Sequence, residues 1–315
     1  MDDSENLNQI LEKAEDALEK GNWEESADLY TQAYSIEQNF EINQGLAEAL
    51  LNLNRADEAE VVILDFFNKY LGSPNASKLA FDIIIENNDY LLANQSLNFY
   101  KRNPANNIPK EQIEKFENKI RISEERHIRA YKPQLDRLKD RVSSIVTMPM
   151  NDQIQMLRGL RELDKGNYIE LSKELLQNPL LHPLLKNEIL ENVYKLGLDE
   201  EINFSFYGEY RKINPINLYP ILASKIFDDM VKEVEKQLSD SGNASQIENI
   251  NSELSLYVAL VYPYGEEIIK DPSMWVKEIL ANYDLISEDK VVGNDDIKNI
   301  NQWLERFESL MSQFQ

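Results

Sequence analysis

Gly21-Asn22-Trp23-Glu24-Glu25-Ser26-Ala27-Asp28-Leu29-Tyr30-Thr31-Gln32-Ala33 is the stretch that decides the fold. A chain-reversing Gly-Asn leads into an aromatic residue, and small or apolar side chains follow at positions 26, 30 and 33, the spacing of one helical face. Two further segments repeat the pattern when aligned on the small residue, with 33 residues from Ser26 to Ala59 and 34 from Ala59 to Ala93. Five places ahead of the small residue stand Gly21, Asn54 and Asn88, and three ahead stand Trp23, Ala56 and Tyr90. Four places after it come Tyr30, Ile63 and Leu97, and seven after it Ala33, Phe66 and Tyr100.

The helix preceding each segment follows the same register. Twelve and nine places ahead of the small residue lie Ala14 and Ala17, Ala47 and Leu50, and Phe81 and Ile84, all apolar. Each unit is therefore a pair of antiparallel helices whose apolar faces are covered only by stacking on the next pair.

In period and small-residue positions, residues 7 to 107 resemble the tetratricopeptide repeat (TPR) family. The match is good in the first unit and looser afterwards: the family's early Trp is replaced by Ile10, Asn43 and Ser77, and Phe81 replaces a small residue. The resemblance implies an all-α, right-handed superhelix whose first helices line a concave groove. Carried over residue by residue, the groove positions are Asn8, Leu11, Glu15 and Leu18; Glu41, Gln44, Glu48 and Leu51; and Asn75, Lys78, Asp82 and Ile85. The family's clamp for a C-terminal carboxylate is not matched, since its places hold Leu11, Glu15, Gly45, Asn75 and Leu79. Acids beside an apolar row of Leu18, Leu51 and Ile85 imply a protein or peptide partner that is basic or amphipathic.

Composition narrows the remainder. The 315 residues are 42% apolar, enough for a core, and include no Cys, which excludes disulfides and thiolate chemistry. A net charge of −23 disfavours nucleic acid and anionic membranes as partners. The acidic Met1-Asp2-Asp3-Ser4-Glu5 start and the lack of a long apolar run lead to the expectation of a cytoplasmic protein.

Along the chain, helices are expected over 5–20, 22–35, 40–53, 55–70, 77–86 and 90–102, with a boundary at Pro104 to Pro109. The expected domains are an N-terminal array of three repeats (1–108), a charged helical connector (109–148) kinked or broken at Pro133, and a helical domain (149–315). In the connector, Arg121, Arg126, Arg129 and Lys132 read as an ion-paired face. Gly166-Asn167-Tyr168 copies Gly21-Asn22-Trp23 and marks a TPR-like hairpin over 152–178. Ile202, Phe204 and Phe206 alternate with polar residues ahead of Tyr207-Gly208, which predicts one β-hairpin over 201–214. Further helices are expected over 216–238, 244–261, 273–285 and 295–313, separated at Gly242, Pro263 to Gly265 and Gly293. The order His182-Pro183-Leu184-Leu185-Lys186, helix, Gly197-Leu198-Asp199, hairpin, Asn214-Pro215 resembles TPR proteins of low-GC Gram-positive bacteria.

No constellation of catalytic residues stands out. The two histidines, His127 and His182, lack metal-ligand spacing and read as surface or capping residues, and no phosphate-binding or nucleophile-elbow motif is present. Glu266-Glu267 opens a helix, where the dipole favours acids. The expected protein is a non-catalytic binding scaffold without metal or cofactor. Two alternatives are self-assembly through C-terminal helices rich in aromatics such as Trp275 and Trp303, making a homodimer, and a peptide-sensing regulator.

Overall fold

The computed structural model describes residues 3–103, 107–239, 243–286 and 295–314. Met1-Asp2, Pro104 to Asn106, Gly242 and Gly293 lie outside the described residues. Among those described, the chain forms sixteen α-helices and one two-stranded antiparallel sheet. It groups into two compact units: Met1–Leu138 with Gly159–Tyr168, and Lys139–Arg158 with Ile169–Gln315.

The first unit starts with α1 (Asp3–Glu19), α2 (Trp23–Ile36), α3 (Phe40–Asn52) and α4 (Ala56–Leu64), then α5 (Phe67–Gly72), α6 (Pro74–Glu86) and α7 (Tyr90–Arg102). Its first three pairs turn in the same way. Gly21, Asn54 and Asn88 are left-handed, with φ of +78°, +60° and +57°. The next residue in each case returns its N–H to the carbonyl five positions back: Asn22 to Ala17 at 2.9 Å, Arg55 to Leu50 at 3.0 Å and Asp89 to Ile84 at 3.0 Å. A left-handed residue followed by this bond satisfies the orphan carbonyls at a helix end. Ser26, Ala59 and Ala93 are all fully buried, as are Ala14, Ala47 and Phe81. Ser26 Oγ donates to the Ala14 carbonyl at 3.0 Å, so one hydroxyl is accommodated in the close contact of α1 and α2.

The polar residues at the family's Trp positions are also buried and bonded. Asn43 Nδ2 donates to the Val62 carbonyl at 2.7 Å and to Tyr34 Oη at 3.1 Å, while its Oδ1 accepts from Tyr70 Oη at 2.8 Å. This network corrects the single helix expected over 55–70. Asn43 engages the Val62 carbonyl, the Phe66 N–H turns to Ile63 at 3.2 Å, and the helix ends at Leu64 before resuming as α5. Phe66, in non-helical conformation, places its ring edge-on to Phe40 at 6.2 Å.

After α7 comes α8 (Lys110–Val142), with Tyr131 out of helical conformation two residues before Pro133, as expected of a proline inside a helix. Up to Leu138 it belongs to the first unit, where the Phe116 ring stacks on Phe81 at 3.9 Å. Glu125 pairs with both Arg121 and Arg129. His127 is not a surface residue: it is buried against Tyr90, at 5.5 Å between rings, with Nε2 3.3 Å from Glu162 Oε2. Next follow α9 (Met150–Gly159), a 3-10 turn over 160–162 and α10 (Lys165–Gln177). Gly166 copies Gly21 in sequence but not in backbone. It lies inside the first turn of α10 without a positive φ, because the Asp164 carboxylate accepts from the N–H groups of Gly166 at 3.1 Å and Asn167 at 3.2 Å. Near the second-helix ends, Glu60 and Asp89 are buried together, and Arg161 lies 3.2 Å from Asp89 and 3.9 Å from Glu60.

In the second unit, α11 (Pro183–Lys195) is capped by His182, whose Nδ1 accepts from the Leu184 N–H at 3.2 Å, and is closed by left-handed Gly197. The hairpin pairs β1 (Ile202–Phe206) with β2 (Glu209–Ile213), Ile202 opposite Ile213 and Phe206 opposite Glu209. Its turn, Tyr207-Gly208, has two positive φ values, the geometry a two-residue hairpin turn requires.

The helix expected to start at Ile216 starts instead at Lys225, because Pro215 and Pro220 hold the chain in two 3-10 turns and Ser224 then caps it. That helix is α12 (Lys225–Leu238), followed by α13 (Ile247–Val261), the single turn α14 (Gly265–Ile268), α15 (Pro272–Asn282) and α16 (Asp295–Met311). Met230, Val234, Leu254, Val258, Val276 and Phe307 are buried in their shared core. Trp275 belongs to that core, 2% exposed with its ring 6.1 Å from Phe307, so it is not a surface anchor. Glu267 pairs with Arg211 at 2.7 Å, which gives the acid a structural partner on β2.

Candidate functional site

The first helices of the three pairs form a row: α1 contacts α3, and α3 contacts α6. The first half of α8 extends this row. Gln112 Nε2 donates to the Pro74 carbonyl at 2.7 Å and to Ser77 Oγ at 2.9 Å, and Lys119 is ion-paired with Asp82.

The twelve groove positions fall into three kinds. Asn8, Glu15, Glu41, Glu48, Asn75, Lys78 and Asp82 are exposed. Leu11, Leu18, Gln44 and Leu51 are half-buried, the three leucines resting against the unit's core, while Ile85 is buried within it. The apolar surface left over is thus carried by α1 and α3.

Glu15 and Glu48, one on each of these helices, both bear electrostatically on Tyr30. The Tyr30 phenol is pushed up to about 12, first by burial and then by the charges of the two carboxylates. Tyr30 reaches this place because position 45 lacks a side chain: a Cβ on Gly45 would lie 2.2 Å from Tyr30 Cζ. Glu15, Glu41 and Glu48 make no ion pair among the described residues, whereas Asp82 is already engaged by Lys119. An acidic patch beside half-buried leucines offers charge to a cation and an apolar shelf to the hydrocarbon next to it. The missed contributor is Lys119. Its signal was present in the apolar spacing of Ile113, Phe116 and Ile120, which makes the start of α8 amphipathic and able to pack on α6.

The tetratricopeptide repeat family model matches residues 17–79, which run from the end of α1 into α6. This segment carries tetratricopeptide repeats. Such repeats generally mediate protein–protein interaction and act as non-catalytic scaffolds. The chain is also 20% identical over 267 residues to the TPR repeat-containing protein YsoA of Bacillus subtilis, covering 82% of this chain and 78% of the relative. That alignment is longer than the repeat array, so the likeness continues into the rest of the chain. No solved structure gives a significant match. Among the described residues no helix is long and apolar enough to cross a membrane, and no group of His, Asp and Glu could hold a metal ion.

Proposed function

We propose that the tetratricopeptide array is a non-catalytic scaffold that holds a protein segment across α1 and α3, one carrying a Lys or Arg beside aliphatic side chains. The observation that carries this reading is that the exposed Glu15 on α1 and Glu48 on α3 each lie one helical turn from half-buried leucines, Leu11 and Leu18 on α1 and Leu51 on α3. A cationic head would take the two carboxylates, and its aliphatic neighbours would cover the leucines. Asp82 plays no part, because Lys119 already neutralises it.

The test is titration of a fluorescent peptide alternating lysine and leucine against the full chain. Double reversal, Glu15→Lys with Glu48→Lys, is expected to weaken binding by about tenfold, two exposed charges each changing from attraction to repulsion. A chain this acidic attracts any basic peptide, so the control reverses two exposed acids of the second unit, Glu174→Lys with Glu188→Lys. An equal loss in both double variants, or none in the first, would overturn the proposal.

A further inference from the structure

The second unit contains a cavity of about 160 Å³ between the start of α11, β1, the end of α13 and the C-terminal turn after α16. Its polar lining is incompletely satisfied. Lys186, Asn187 and Ser205 are only 4%, 2% and 2% exposed. Lys186 Nζ donates to the Ser205 carbonyl at 2.8 Å and lies 5.9 Å from the Phe204 ring. An ammonium has three hydrogens to donate. No carboxylate pairs with it among the described residues, although the chain has 56 acids. Asn187 donates its amide to the Ala259 carbonyl, which leaves Oδ1 unpartnered, and Ser205 Oγ is unpartnered as well.

The rest of the wall is apolar, with Leu181, Phe206, Leu260, Tyr262 and Leu310 among its residues. Leu180 also lines the cavity and is 76% exposed, an aliphatic lip facing solvent. A buried cation without a counter-ion is costly, and an anion supplied from outside removes that cost. The volume limits the anion's size: about 150 Å³ is enough for a ring of six carbons. Phosphate fits poorly, since the lining has one cation, no arginine and largely hydrocarbon walls.

We propose that this cavity binds a small carboxylic acid with an aliphatic body, the carboxylate on Lys186 and Ser205 and the hydrocarbon against Phe206, Leu260 and Leu310. The cavity lies outside the repeat array, so the proposal is independent of the array's protein partner. Burial alone draws the Lys186 ammonium down to about 8. The other titratable groups of the lining are already bonded to carbonyls: His182 to Leu310, Tyr207 to Leu260 and Tyr262 to Tyr219. Burial holds His182 below its usual range and both tyrosines above theirs, so none adds a charge around pH 8.

The experiment is calorimetric titration of the full chain with 4-methylpentanoate, with its isosteric amide, and with inorganic phosphate. The acid is expected to bind with a Kd of about 1 mM or better. The amide and phosphate are expected to bind at least about tenfold more weakly, and the acid's affinity to fall as pH rises through about 8. Lys186→Met, which keeps the length and removes the charge, is expected to abolish acid binding. The acid and amide comparison uses the unaltered protein, so it decides the question even if that variant does not fold. No binding of the acid, equal binding of the amide, or full binding by Lys186→Met would overturn the proposal.

Discussion

One tripeptide pattern occurs twice in this chain with two backbones, and alanine substitution separates them by sign. Gly21 has φ of +78°, where an L-residue meets a penalty of about 1–2 kcal/mol. Its Cβ would touch Trp23 Cζ2 at 3.6 Å, an ordinary contact, so the penalty is one of backbone alone. Restricting the unfolded chain returns roughly 0.4–1 kcal/mol, which leaves Gly21→Ala destabilising by about 1 kcal/mol. Gly166 sits in the first turn of α10 without a positive φ, and there alanine is favoured by roughly 0.5–1 kcal/mol. The nearest atom to its new Cβ is Asp164 Oδ1 at 3.3 Å, which has to give only a few tenths of an ångström and can do so while keeping its bonds to the Gly166 and Asn167 N–H groups. For a unit of this size 1 kcal/mol corresponds to about 2–4 °C, so Gly21→Ala is expected to lower Tm by about 3 °C and Gly166→Ala to raise it by about 2 °C. Thermal melts followed by far-ultraviolet circular dichroism, with urea titrations to check that m is unchanged, measure both. Shifts of the same sign would refute the argument that Asp164 turns the second copy into a helix start.

Three other outcomes follow from the same geometry. Asn43→Ala leaves the Tyr70 hydroxyl and the Val62 carbonyl without their shared buried partner, and is expected to cost about 2–3 kcal/mol in urea unfolding, far more than a surface asparagine. Glu60 is raised to about 7 by burial and by neighbouring Asp89, so the native state keeps a proton that the unfolded chain releases near pH 4.5. Stability from this group is therefore complete below that value and declines as pH rises to about 7. Glu60→Gln is expected to flatten that decline in melts taken across the window. Asp82→Asn is expected to leave binding of the lysine–leucine peptide unchanged in anisotropy titrations, because Lys119 already occupies the carboxylate.

Most of the array was legible because its pattern reflects physical needs at the Cα level. Gly21, Asn54 and Asn88 are the residue types that tolerate a left-handed turn, and a small side chain at 26, 59 and 93 is needed where two helices touch. The hairpin was legible for the same reason, through alternation ending at Tyr207-Gly208. What escaped depended on single side-chain hydrogen bonds to the backbone, which the repeat pattern does not record. The break after Leu64 is set by Asn43, 19 residues from the carbonyl it engages, and no local propensity records it. Gly166 looked like Gly21 because only the residue two places earlier, Asp164, distinguishes a capped start from a turn. At the candidate site the acids carried over from the family pattern are exposed, whereas Ile85 is core and Lys119 comes from a helix whose sequence reads as a connector.

The most direct test of the binding face is site-specific photocrosslinking. A benzophenone side chain replaces Gln44, between Glu41 and Glu48 on α3, or Val61, 68% exposed on α4, in two otherwise identical proteins. Irradiation with the lysine–leucine peptide is expected to yield an adduct from position 44 and none from position 61. Equal adducts from both, or an adduct from position 61 alone, would contradict the assignment of the partner to the first-helix face.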